Sequence, residues 1–168
     1  LWDTRAGLGT RNIRIGVDVR NKLLVGVVSA TLISSTALWE GDKRDPYWDL
    51  AGILTVCSGH TGSDIIKGKR YTKEECTTLL QRDLVVHRQG VYKCVNAPMT
   101  PKQFDAFTMF TYNVGVSSFC KSTLLKDFNA GNPAKACDGL LKWSYVNGKF
   151  VQGLRNRREY ERKMCLSE

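Results

Sequence analysis

A chain of 168 residues, 42% hydrophobic and 24% charged, is long enough for one domain with a real core and too short for two of comparable size. No biased tract follows the N-terminal segment, which excludes a disordered or fibrous chain. Lys and Arg outnumber Asp and Glu by 25 to 16. The resulting charge of +9 favours polyanionic partners such as nucleic acid, acidic lipid or bacterial envelope polymers, without choosing among them.

The N-terminal segment 1–22 is basic, with Arg5, Arg11, Arg14, Arg20 and Lys22 against Asp3 and Asp18. Residues 23–38 then carry no charge. That run is shorter than the roughly 20 residues of a comfortable membrane span, and Gly, Ala, Ser and Thr dilute it, so it is suited to entering a bilayer and also to leaving it. Three readings are open: a signal peptide cut at Ser35, Thr36 and Ala37, a weak uncleaved anchor, and a soluble core helix. The chain opens on Leu1 and its first methionine is Met99, so we expect an alternative start read here as Val17 or Val19, with segment 1–22 not wholly native.

Turn signals at Asp45-Pro46 and Ala51-Gly52 predict a small β-hairpin or three-stranded sheet near 44–60. From residue 72 the chain reads as helices. Thr72 and Glu75 have capping-box spacing, and that helix is expected to run to about His87. Thr100-Pro101 opens another, with Phe104, Phe107, Thr111 and Val114 at helical spacing and Gly115 as its stop. A short helix is expected from Ser122 to Asn129, another after Asn132-Pro133, a tight turn at Asn147-Gly148, and a final basic helix from Gly153 to Leu166. The charges of this last helix are read as a solvated face or a binding surface. The fold class is α+β, mainly helical, with a small sheet near the N-terminus attached to a helical body.

Glu40 follows the apolar run directly, in Leu38-Trp39-Glu40-Gly41, where desolvation beside Leu and Trp would disfavour its charged form. Nine residues on, Asp49 lies where turn amides and water would keep it ionised, and Thr55 would stand on the next strand to help hold a water. Two carboxyls in unlike surroundings suit acid and base work on a glycosidic bond. The spacing alone is common.

The order of these residues adds more. Trp39-Glu40-Gly41, then Tyr47-x-Asp49-x-x-Gly52-x-x-Thr55, then Gly59-His60-Thr61 resembles the active-site signature of phage-type lysozymes, glycoside hydrolase family 24. Tyr112-Asn113-Val114-Gly115, Phe119-x-x-Ser122-Thr123-Leu124-Leu125, Trp143 and Gly153-Leu154-x-x-Arg157-Arg158-x-x-Glu161 extend the resemblance over about 38–166. The run Thr55-Val56-Cys57-x-Gly59-His60-Thr61-Gly62 is similar to endolysins of lambdoid phages with a signal-anchor-release segment. The resemblance implies a lysozyme-like catalytic domain at 39–168 that hydrolyses the β-1,4 link between N-acetylmuramic acid and N-acetylglucosamine and lyses the host cell. It implies Glu40 as general acid, Asp49 as base or water-orienting carboxylate, Thr55 as its hydroxyl partner, and an inverting reaction without cofactor. Gly59, His60 and Asn113 are the implied substrate-binding residues. Cys57-Ser58 departs from the Gly-aromatic pair of many relatives. The partners expected are peptidoglycan glycan strands and, through residues 23–38 retained as an anchor, the inner membrane; the protein is expected to be a monomer, inactive while anchored and active once released to the periplasm.

The cysteines, at 57, 76, 94, 120, 137 and 165, lack the C-x-x-C spacing of a zinc ribbon or redox site, which favours disulfides in an oxidising compartment over buried free thiols. The expected pairs are Cys137 with Cys165 on the last two helices, Cys94 with Cys120 around the Phe-rich helix, and Cys57 with Cys76 as the remainder. Other function classes are weaker. A zinc-dependent amidase would need both His60 and His87 with Cys57 or Cys76 as ligands, and no H-E-x-x-H helix is present. His60 reads better as a structural histidine beside the sheet, and His87 as a helix-end residue near the negative pole of its dipole. No phosphate loop, zinc finger or RNA-binding signature accompanies the basic charge, which argues against nucleic acid. An inactive wall-binding protein is disfavoured because Glu40, Asp49 and Thr55 are all of the required type.

Overall fold

A computed structural model describes residues 25–167; segment 1–22, with Val17 and Val19, lies outside the described residues, as do Leu23 and Leu24. Helix α1 spans Ala30–Glu40, so the apolar run is not one continuous helix over its described part. Ser29 is the reason: its hydroxyl accepts from the Leu32 amide at 3.0 Å and donates to Asp105 at 3.0 Å, which starts the helix there rather than upstream. Among the described residues no helix is long and apolar enough to cross a membrane.

Strands β1 (Lys43–Trp48), β2 (Leu54–Cys57) and β3 (His60–Thr61) form an antiparallel sheet in that order, as the turn signals predict. Helix α2, Lys73–Cys94, opens on the full Thr72/Glu75 capping box but continues seven residues past the expected end at His87. Gly90 does not stop it. Instead, a Cβ there would lie 2.5 Å from the Val116 side chain, so Gly90 lets helix α4 (Val116–Cys120) approach. Helix α3 is Pro101–Val114, capped by Thr100 and Gln103. Helices α5 (Thr123–Asn129) and α6 (Pro133–Gly139), a 3-10 turn at Leu140–Lys142, a hairpin of β4 (Tyr145–Val146) and β5 (Lys149–Phe150), and α7 (Gln152–Leu166) complete the body.

The main core gathers Phe104, Phe107, Phe110, Phe119 and Phe128 with Leu140. Phe107 packs edge-on against Phe128 at 5.1 Å. A smaller core of Leu32, Leu80, Leu84 and Met109 seats α1 on α2 and α3. The three expected disulfides are present. Cys137–Cys165 and Cys94–Cys120 tie helices together, and Cys57–Cys76 ties the sheet to α2.

Candidate active site

Glu40 is the last residue of α1, where Leu32 and Thr36 bury the face that fixes the helix. The apolar surroundings expected for its carboxyl are not found. Leu38 is 79% exposed, Trp39 leans toward Tyr160 with ring centroids 6.1 Å apart, and the contact to Glu40 Oε1 is Arg157 Nη2 at 2.6 Å.

Arg157 belongs to a buried network. Its Nε donates to Glu161 at 3.2 Å and its Nη2 to the Met109 carbonyl at 3.3 Å. Arg158 donates to Glu161 at 2.9 Å and to Asn113 at 3.0 Å, with its guanidinium 4.9 Å from the Phe110 ring centre. Burial pushes the Glu161 carboxyl up, to about 7, against the pull of Arg158 and then Arg157. The expectation of a solvated basic face on the last helix therefore fails for Arg157 and Arg158, which are buried. The i, i+4 and i, i+3 placement of Glu161 from these two arginines was the available signal.

A cleft of ≈ 320 Å³ opens beside Glu40, lined also by Gly59, Thr61, Asp83, Val86, His87 and Tyr112. Asp49 and Thr55 are not among its lining residues, but the sheet register links Thr55 to it. Thr55 pairs with Tyr47 on one side and with Thr61 on the other. Paired residues share a sheet face, so Tyr47, Thr55 and Thr61 point together, while Asp49 stands just past the end of β1, in the turn that leads to β2. Asp49 Oδ1 accepts from the Ala51 and Ile53 amides at 2.9 and 2.8 Å, the turn donors expected for it. Thr55 is buried and its hydroxyl donates to the Ile53 carbonyl at 3.0 Å.

The other sequence candidates divide. Gly59 lines the cleft at φ 89°. His60 is buried, with Nδ1 2.8 Å from Asp83 and Nε2 3.1 Å from Asp64, so both ring nitrogens are engaged and it acts as the structural histidine. Arg82 and His60 together hold the Asp64 carboxyl down, at about 2. Asn113 is exposed and bonded to Arg158. His87 is not at a helix end but inside α2, in the cleft wall, with its ring 5.1 Å from Tyr112. Tyr112 in turn donates to the Ser58 carbonyl at 2.9 Å. The amidase ligand set is spent: Cys57 and Cys76 are bonded to each other and His60 sits between two carboxylates.

Residues 37–161 match the phage lysozyme family. The SAR-endolysin of Bacteriophage PS119 is 49% identical over 129 residues, 76% of each chain. The SAR-endolysin of Bacteriophage PS34 is 40% identical over 159 residues, 88% of this chain and 94% of that one. Among solved structures, a P22 lysozyme mutant superposes with a TM-score of 0.76 at 32% identity, covering 83% of this chain and 98% of its own. With the fold, the cleft and the acidic residues beside it, these matches mean that the chain belongs to the phage lysozyme family.

Proposed function

We propose that this lytic glycoside hydrolase cuts the β-1,4 bond between N-acetylmuramic acid and N-acetylglucosamine with Glu40 as acid and Asp49 and Thr55 holding the attacking water. The observation that carries the proposal is the junction of α1 with α7. Arg157 holds Glu40 Oε1 at the cleft mouth, leaving Oε2 for the proton that the leaving oxygen takes. In this reading Thr61 and Thr55 on the sheet, with Asp49 in the turn just past β1, supply the opposite side. Water delivered from that side inverts the anomeric centre. The first product, followed by polarimetry or NMR, is expected to be the inverted anomer, and a retained anomer would contradict the roles of Asp49 and Thr55. Chelators are expected to leave the rate unchanged; loss of activity on chelation would favour the amidase.

The second part of the proposal concerns where the enzyme is kept. Residues 23–38 are retained as a weak anchor in the host inner membrane, 39–168 form the catalytic domain, and release to the periplasm activates a monomer. Helix α1 runs across the boundary at residue 38, so cleavage after Ala37 would leave Glu40 on a frayed end. Two polar residues of the run have partners on the body: Ser29 on Asp105, and Ser35 on Tyr160 at 2.6 Å. Docking α1 thus fixes Glu40, a two-state switch between bilayer and body.

Ser29→Leu with Ser34→Leu and Ser35→Leu is expected to hold the enzyme in the membrane fraction and delay lysis. Tyr160→Phe, which leaves the hydrophobicity of the run untouched, is expected to be released normally but to lose about 1 kcal/mol of stability. Normal release of the triple-Leu variant would refute the anchor while leaving the muramidase reading intact.

A further inference from the structure

A second hollow, of ≈ 560 Å³, shares no lining residue with the cleft beside Glu40 and is built by the start of α1, the first turns of α3 and the end of α7. Its apolar surface comes from Pro101, Met164 and Tyr160. The Tyr160 hydroxyl is engaged by Ser35 at 2.6 Å, which leaves the ring as the part a ligand would meet. Two exposed cations, Lys102 on α3 and Lys163 on α7, also line it, and neither is in an ion pair among the described residues. The carboxylate lining it, Asp105, is neutralised, with Arg88 on one oxygen and the Ser29 hydroxyl on the other.

We propose that this hollow binds one anionic glycerophospholipid, an acyl chain lying on Pro101, Met164 and the Tyr160 ring and the phosphate held by Lys102 and Lys163. A neutral chain would leave the two cations unused, and a free phosphate would leave the apolar surface unused. An acidic peptide would bring backbone polar groups against an apolar wall that gives them no partner. Ser29 and Thr31 of α1 form part of the hollow, so the site is complete only when α1 is docked. A bound lipid therefore stabilises the docked form by mass action. The site stands on the hollow itself; its role, drawing α1 from the bilayer onto the body, rests on the anchor reading.

Isothermal titration calorimetry of the released full chain with dihexanoyl phosphatidylglycerol, kept below its micelle concentration, tests the site. Saturable one-to-one binding is expected, about tenfold or more tighter than that of dihexanoyl phosphatidylcholine. Longer acyl chains should bind about two- to fourfold more tightly per methylene buried. Lys102→Glu with Lys163→Glu should weaken binding of the anionic lipid about tenfold or more, with muramidase activity unchanged. Equal affinity for the two lipids, an unchanged affinity in the double variant, inorganic phosphate binding as tightly as the lipid, or no saturable binding each overturns the proposal. The comparison of the two lipids on the wild-type chain decides the matter even if the double variant fails to fold. Normal release of the triple-Leu variant would instead remove the anchor reading and leave the titration untouched, so the two failures are distinguishable.

Discussion

Replacing Glu40 by Gln is expected to lower peptidoglycan hydrolysis by about a thousandfold or more, with the fold intact. Gln keeps the size of the side chain and an oxygen for Arg157, but it has no proton to give to the leaving oxygen, and general acid catalysis is worth roughly 10²–10⁴ in rate. The neighbouring carboxyl, Glu161, cannot substitute because it is fully buried and held by Arg157 and Arg158. Arg157 would keep Glu161 and the Met109 carbonyl as partners, so its charge is not stranded. Turnover on purified cell walls, with the melting temperature as control, measures the effect. A variant retaining a tenth of the wild-type rate would remove Glu40 from the acid role.

The second large effect is on stability. Glu161→Leu leaves two buried guanidinium groups without their shared carboxylate, and breaking a buried ion pair from one side costs about 3–5 kcal/mol. For a chain of this length that is a fall in Tm of roughly 10 °C, with loss of activity because Arg157 no longer has a fixed position from which to hold Glu40. A shift of less than about 2 °C would mean that the network is not a structural element. The pH dependence carries a sign of its own. The folded pKa of Glu161 is raised, to about 7 from 4.5, so between those values the folded state binds the proton more tightly than the unfolded chain. Its contribution is therefore fully present below about 4.5 and lost as pH rises toward about 7. Glu161→Gln is expected to flatten that part of the stability profile.

The features legible in the sequence were those set by local chemistry. Capping residues placed the starts of α2 and α3, Pro133 and the Asn147-Gly148 turn marked α6 and the β4–β5 hairpin, and the positions of the cysteines around the helices gave two of the three pairs, with Cys57–Cys76 left as the remainder. What was not legible depended on contacts between distant segments. Gly90 looks like a weak point in a helix until Val116 is seen against it. Apart from the spacing of Glu161, nothing in sequence sets Arg157 and Arg158 apart from the half-buried Arg155 and Arg162, because burial is decided by α1, α3 and Glu161 converging on them. For the same reason the motif located Glu40 while its neighbours in the chain, Leu38 and Trp39, gave the wrong surroundings: its environment is built by α7, over a hundred residues away. His87 was misplaced by seven residues of helix, and with it the wall of the cleft.

The most direct test is the chemistry of the fragments released from purified peptidoglycan, read by mass spectrometry. The account predicts soluble muropeptides with N-acetylmuramic acid at the new reducing ends, one water added per cut, and the stem peptides still attached to the sugar. Free stem peptides beside intact glycan strands, or N-acetylglucosamine at the new reducing ends, would contradict it.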